Sequence, residues 1–183
     1  MTITTNKVTF IHIPKNAGTS ISRWLKLHCA ASEPMHKQHG GKHADQYRVK
    51  KYFDSKDREM RFAFCVVRNP WDRMVSGYHY YKRRGNFEEH DTFEQFVKKE
   101  LQHGWRMLTK PQHKYFYDMD LIMRFENLNE DFKKIQQIHN CDKPLQKKNE
   151  SDHKSYRDYY NQELIDIVAA KCKTDIELFN YDF

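Results

Sequence analysis

Residues 10–21, FIHIPKNAGTSI, decide how this chain is read. They describe a strand, a tight loop and the start of a helix. The strand, about Val8 to Ile13, carries Val, Phe and two Ile, and Pro14 ends it because proline brings no donor to a sheet ladder. Gly18 is expected to let the backbone turn. Thr19 and Ser20 are expected to cap a helix running through Trp24 and Leu27. A helix start behind such a loop presents backbone N–H groups at the positive end of the helix dipole. With Lys15 beside it, the stretch reads as a cradle for phosphate or a similar tetrahedral anion. The same pattern also fits an ordinary strand-to-helix turn with a surface lysine. It is not a nucleoside-triphosphate loop of the Gly-x-x-x-x-Gly-Lys-Ser/Thr type, because here the lysine precedes the glycine.

A second stretch, VVRNPWDRMVSGY at residues 66–78, repeats the design. It follows the apolar run Arg61 to Val67, a buried-strand pattern. Asn69 and Pro70 make a helix start, asparagine as cap and proline in the first turn, and that helix is expected to reach about Arg84. Arg68 sits where the strand ends, and Ser76 about two helical turns on. An arginine fork and a hydroxyl suit a phosphate. Arg73 is expected to pair with its neighbour Asp72.

The rest of the chain alternates in the same way. Residues 30 to 43 read as a polar, His-rich loop, followed by a helix from Ala44 to Tyr52. Thr92 opens another helix, and residues 103 to 118 are irregular or short helix. Leu121 to Phe125 is a strand and Asn129 to His139 a helix, with a polar loop over 142 to 155. The last helix is expected from Asn161 to Lys173, its aromatic tail packing on the core. Alternation of strands and helices implies an α/β fold with a parallel sheet flanked by helices. In such sheets ligands sit at the carboxyl ends of the strands, where both opening stretches put their polar residues.

The chain has 183 residues, the size of a single domain with its own core. Its net charge of +7 favours an anionic partner. Nucleic acid is not expected, because basic and aromatic residues are not interleaved on one face. Cys29, Cys65, Cys141 and Cys172 are far apart, which argues against a cysteine zinc site. No signal pattern or membrane-length apolar run is present, so the expectation is a soluble, cytoplasmic protein with no membrane partner. Oligomeric state is not legible.

Taken together, HIPKNAGTS and RNPWDRMVSGY resemble the two cofactor-binding segments of sulfotransferases that use PAPS, 3′-phosphoadenosine 5′-phosphosulfate. The similarity extends to LIMRFENLNEDF and to the final YRDYYNQELIDIVAAKCKTDIELFNYDF. It is nearest to the carbohydrate group that includes heparan sulfate 2-O and chondroitin-type enzymes and microbial relatives. The resemblance implies a P-loop-NTPase-like three-layer fold over residues 1–183, and sulfonate transfer from PAPS to an acceptor hydroxyl, with a sugar as one candidate acceptor, releasing PAP without a metal. By the same resemblance, Lys15 contacts the 5′-phosphosulfate, and Asn16, Ala17, Gly18, Thr19 and Ser20 supply donors to it. Arg68 and Ser76 take the 3′-phosphate. Lys148, Asn149 and Ser151, with Lys147 and Tyr156, resemble the segment that closes over the cofactor. A solvated charge run is the alternative for that segment.

Sulfonate transfer needs a base for the acceptor proton. Lys42-His43-Ala44 aligns with a segment of the family, so His43 is the first choice and His39 the second. His36, His39 and His43 have a spacing that suits a metal on a helix, but Gly40 and Gly41 would break that helix. His12 is read as structural, satisfied by backbone, and Glu126 as a brace beside Arg124. Two other readings share these features: a homologue that binds cofactor without catalysis, and a nucleotide kinase. The kinase lacks its Gly-Lys-Ser/Thr loop and a magnesium carboxylate.

Overall fold

The computed structural model describes residues 1–30, 32–35, 41–56, 59–85, 92–103, 106–146 and 154–183. These fall into two compact units, Met1–Val67 with Gln112–Lys148, and Arg68–Pro111 with Asn149–Phe183.

The first unit holds a five-stranded sheet. Its strands are β1 (Ile3–Thr4), β2 (Val8–Ile11), β3 (Glu33–Pro34), β4 (Phe62–Val67) and β5 (Leu121–Arg124), in spatial order β3-β1-β2-β4-β5. The β2–β4 and β4–β5 pairs are parallel, with Phe10 opposite Phe64 and Phe64 opposite Leu121. β1 runs antiparallel to both β2 and β3. The expected parallel sheet is therefore mixed at one edge, and part of the predicted loop over 30 to 43 is the edge strand β3. Strands of two residues leave no alternation to read, and Pro34 is tolerated because it lies on an edge. Between β1 and β2 the chain turns on Thr5, whose hydroxyl accepts from the N–H groups of Lys7 and Val8.

Two helices cover one face of this sheet, α1 (Gly18–His28) and α6 (Leu128–His139). Ile21, Trp24 and Leu25 of α1 and Phe132 and Ile135 of α6 recur at helical spacing, and pack with Phe10, Phe64, Val66 and Met123. Phe10 stacks on Phe64 at 5.0 Å, and Trp24 meets Phe132 edge-on at 5.0 Å. Each such ring contributes about 1.5–3 kcal/mol on burial. The alternate residues Ile11, Ala63, Cys65 and Val67 are buried as well. That is why these strands read as continuous apolar runs. A further helix of this unit is α2 (Gln46–Asp54), capped by Asp45, whose carboxylate accepts from Arg48 N–H at 3.1 Å.

The second unit is helical: α3 (Pro70–Lys82), α4 (Phe93–His103), α5 (Arg106–Thr109) and α7 (Gln162–Phe179). Asn69 caps α3 as the sequence implies, accepting from Trp71 N–H at 3.0 Å. Thr92 and Gln95 cap α4 reciprocally. Trp71, Val75, Tyr78, Phe96, Val97, Leu108, Leu164 and Val168 form the core. Gly77 is where Leu108 comes close, since a Cβ there would lie 2.2 Å from a Leu108 methyl. α7 extends past the predicted Lys173 to Phe179, because nothing in DIELF interrupts the helix before Asn180 closes it in the left-handed region. The tail then packs as expected, the Phe183 ring lying 5.6 Å from Trp71 and 5.4 Å from Tyr160. Among the described residues no helix is long and apolar enough to cross a membrane.

Candidate active site

Pro14 ends the extended run after β2, and the next residues are held in unusual backbone. Lys15 has φ 71° and Ala17 φ 55°, both left-handed. Side chains other than glycine rarely adopt this region, and such strain persists where the surroundings fix it. The turn is thus made at Lys15 and Ala17, not at Gly18 as the sequence implied. Helix α1 starts at Gly18, so Thr19 and Ser20 lie inside its first turn rather than capping it. The N-cap residue, Ala17, makes no side-chain cap hydrogen bond, and the first turn has no acidic residue. Its first intrahelical bond is Ile21 N–H to Ala17 C=O at 3.2 Å. The N-terminal end of α1, with Lys15 half-buried at its approach, therefore has the polarity that receives an anion.

What fixes the loop is Asn16, which is buried. Its amide donates to Val66 C=O at 2.7 Å and to Gln112 Oε1 at 2.6 Å. The Asn16 side chain is a strut tying the loop to β4 and to the 3-10 turn Gln112–Tyr115, so its amide donors point into the fold and not toward a ligand. Gln112 is fully buried. A single glutamine in an irregular stretch carries no sequence signal of such a role.

Gly18 serves a close approach. A Cβ on it would stand 1.8 Å from the His12 ring. His12 is buried beneath the helix start, its Nδ1 in contact with the Met1 amine, so the amine and not backbone meets the ring. Burial first, then the positive charges of the Met1 amine, His43, Lys42 and Lys15, holds the His12 imidazole well below the usual histidine range.

His43 ends the 3-10 turn Gly41–His43 and is half-buried. Its ring lies 4.6 Å from that of His12, and its Nδ1 is 3.3 Å from the His12 carbonyl oxygen. The structure therefore brings His43 to the root of the loop that carries Lys15. His39, Lys148, Asn149 and Ser151, with His36 and Lys147, lie outside the described residues. Glu126 is exposed in the 3-10 turn Phe125–Asn127.

In the second unit Arg68 precedes α3 and is largely buried. Its Nε and Nη2 donate to the two oxygens of Asp72 at 2.8 and 2.9 Å. Asp72 thus pairs with Arg68 and not with Arg73 as expected. Arg73 donates to the Leu108 carbonyl at 3.2 Å. The spacing of four between Arg68 and Asp72 was the available signal. Ser76 is half-buried in α3.

Comparison with known proteins follows the same lines. The family model described as "Sulfotransferase family" matches residues 1–182. An uncharacterized protein of Archaeoglobus fulgidus is 38% identical over 90 residues, which are 47% of this chain and 69% of that protein. The crystal structure of a sulfotransferase from Alicyclobacillus acidocaldarius aligns with a TM-score of 0.39 at 15% identity, over 75% of this chain. The chain spans 60% of the length of that structure. With a family match running almost from end to end, the chain belongs to the sulfotransferase family.

Proposed function

We propose that residues 1–183 form one domain that transfers a sulfonyl group from PAPS to an acceptor hydroxyl, that of a carbohydrate, and releases PAP. Family membership supports sulfonyl transfer in general. The observation that carries the donor assignment is the uncapped start of α1 behind the left-handed Lys15 and Ala17, a fit for the tetrahedral end of a phosphosulfate. In this reading Lys15 and the N–H groups of Ala17 to Ser20 hold the 5′-phosphosulfate. Arg68, oriented by Asp72, and Ser76 hold the 3′-phosphate. Lys148, Asn149 and Ser151 close over the donor.

His43 is the base. An Nδ1–H that donates to the His12 carbonyl leaves the lone pair on Nε2. The acceptor oxygen bonds to sulfur and its proton passes to His43 Nε2. The sulfur–oxygen bond to the phosphate breaks, and its electron pair leaves on the bridging oxygen. Lys15 and the helix N–H groups stabilise that charge. His39 is the second candidate for the base.

The test compares PAP, AMP and ATP by thermal shift, then follows label from PAPS into a panel of hydroxyl acceptors. PAP is expected to raise the melting temperature more than AMP, since a ligand stabilises according to its affinity for the folded state. Equal shifts for PAP and AMP would overturn the 3′-phosphate assignment. Label in no acceptor would reduce the chain to a cofactor-binding homologue.

A further inference from the structure

Two cysteines distant in sequence come together at the far end of α1. Cys29 ends that helix, its N–H bonded to the Leu25 carbonyl at 3.0 Å. Cys141 follows Asn140, the left-handed residue that closes α6, and its N–H bonds the Gln136 carbonyl at 2.9 Å. Both thiols belong to the apolar cluster under these two helices, Cys29 buried and Cys141 half-buried against it. The Cys29 thiol is pushed up to about 11, by burial first and then by the neighbouring Cys141, against the pull of Lys7.

The surroundings hold the two helix ends side by side. Trp24 Nε1 of α1 and Gln136 Nε2 of α6 donate to the same Lys143 carbonyl, at 2.7 and 2.8 Å. The Trp24 ring meets His139 edge-on at 6.1 Å, and Lys7 Nζ donates to the Ile138 carbonyl at 2.8 Å. The approach of the two ends therefore does not depend on the sulfurs. Among the described residues no group of three His, Cys, Asp or Glu side chains is placed to hold a metal ion. Cys65 lies sealed in β4, and Cys172 belongs to the second unit. The chemistry left to Cys29 and Cys141 is with each other.

We propose that Cys29 and Cys141 form a redox-sensitive staple, a disulfide that closes in oxidising surroundings, opens on reduction and stabilises the fold while closed. Cys141, the more exposed thiol, loses its proton and attacks one sulfur of an external disulfide such as glutathione disulfide. That S–S bond breaks, and one thiolate leaves with its electron pair. Cys29 then loses its proton and attacks Cys141 Sγ, and the second thiolate leaves. The two protons end on the two released thiols, so the protein pair is oxidised and the external disulfide reduced. Burial keeps the Cys29 thiol protonated, which makes the second displacement the slow one. From residue 29 to residue 141 the closed loop is long. Long loops gain most from closure, because the unfolded chain then loses most freedom. The staple does not depend on the donor or the acceptor of the sulfonyl group.

The test refolds the full chain from urea in a glutathione redox buffer, where burial no longer shields Cys29. Free thiols are then alkylated, and the digest is read by mass spectrometry. A peptide of Cys29 joined to Cys141 is expected, with Cys65 and Cys172 alkylated. The oxidised chain should melt about 5–10 °C above its reduced form, and dithiothreitol should abolish the difference. Cys141→Ser, a change at a half-buried position, should melt alike with and without oxidant. Four alkylated cysteines, a link to Cys65 or Cys172, or a link between two chains would each overturn the staple. So would a Cys29–Cys141 link that leaves the melting temperature unchanged.

Discussion

A Cβ on Gly18 would stand 1.8 Å from the imidazole of His12. His12 cannot retreat, because Phe10 stacks on it at 5.9 Å and His43 lies 4.6 Å away. The glycine is there to let a helix start rest on a buried ring. Gly18→Ala should therefore cost about 1–3 kcal/mol, the usual range for overpacking, and should weaken PAP binding by displacing the first turn of α1. His12→Ala should absorb much of that cost. Urea denaturation of both single variants and the double variant checks this. Strictly additive losses would mean that the two residues do not meet.

Lys15 combines a cation with a strained backbone, and two substitutions separate these. Lys15→Gly and Lys15→Ala both remove the charge, but only glycine adopts φ 71° without strain. Both should lower turnover by about 10²–10³, the scale for losing one electrostatic contact to a developing charge. Lys15→Gly should melt no lower than Lys15→Ala. Steady-state turnover and thermal melting suffice, and substantial turnover in Lys15→Gly would remove Lys15 from the chemistry.

The elements that could be read were those whose physics is local. Phe62–Val67, Asn69-Pro70 and the apolar spacing of α1 and α6 carry their signals within a few residues. The antiparallel edge could not be read, since strands of two residues show no alternation and β3 exists only because it finds β1 across some thirty residues of sequence. The loop between β2 and α1 was legible, but its mechanics were not. The Asn16 side chain is a strut that no local pattern signals, because its partners Val66 and Gln112 are distant in sequence. Gly18 looked like a turn and is a contact, because only three dimensions place His12 beneath it.

The Arg68–Asp72 pair gives a sharper test of the 3′-phosphate than removing Arg68. Asp72 fixes the guanidinium plane through two bonds. In the proposed site, Asp72→Asn should loosen that orientation and weaken PAP about tenfold, leaving AMP, which has no 3′-phosphate, unchanged. Calorimetric titration of both nucleotides distinguishes this from a general loss of structure. Equal losses for PAP and AMP would assign Asp72 to the fold alone.

Glu100 makes the last test one of pH. It is fully buried. Burial pushes its carboxyl up to about 8, against the pull of the Leu108 backbone and the Arg73 charge. The folded protein therefore keeps this proton over a range where the unfolded chain, with an ordinary carboxyl near 4.5, has lost it. When the folded state binds more protons, stability falls as pH rises. Glu100 thus costs stability progressively between about pH 4.5 and 8. The Met1 amine, held down to about 4 mainly by burial, and the depressed His12 act in the opposite direction. Wild type alone would blur the effect, and the difference from Glu100→Gln isolates it. The variant should gain on wild type in melting temperature as pH is raised from 5 to 8, with little further gain above 8. A difference that stays flat over that interval would mean that Glu100 ionises in the folded protein as it does in the unfolded chain.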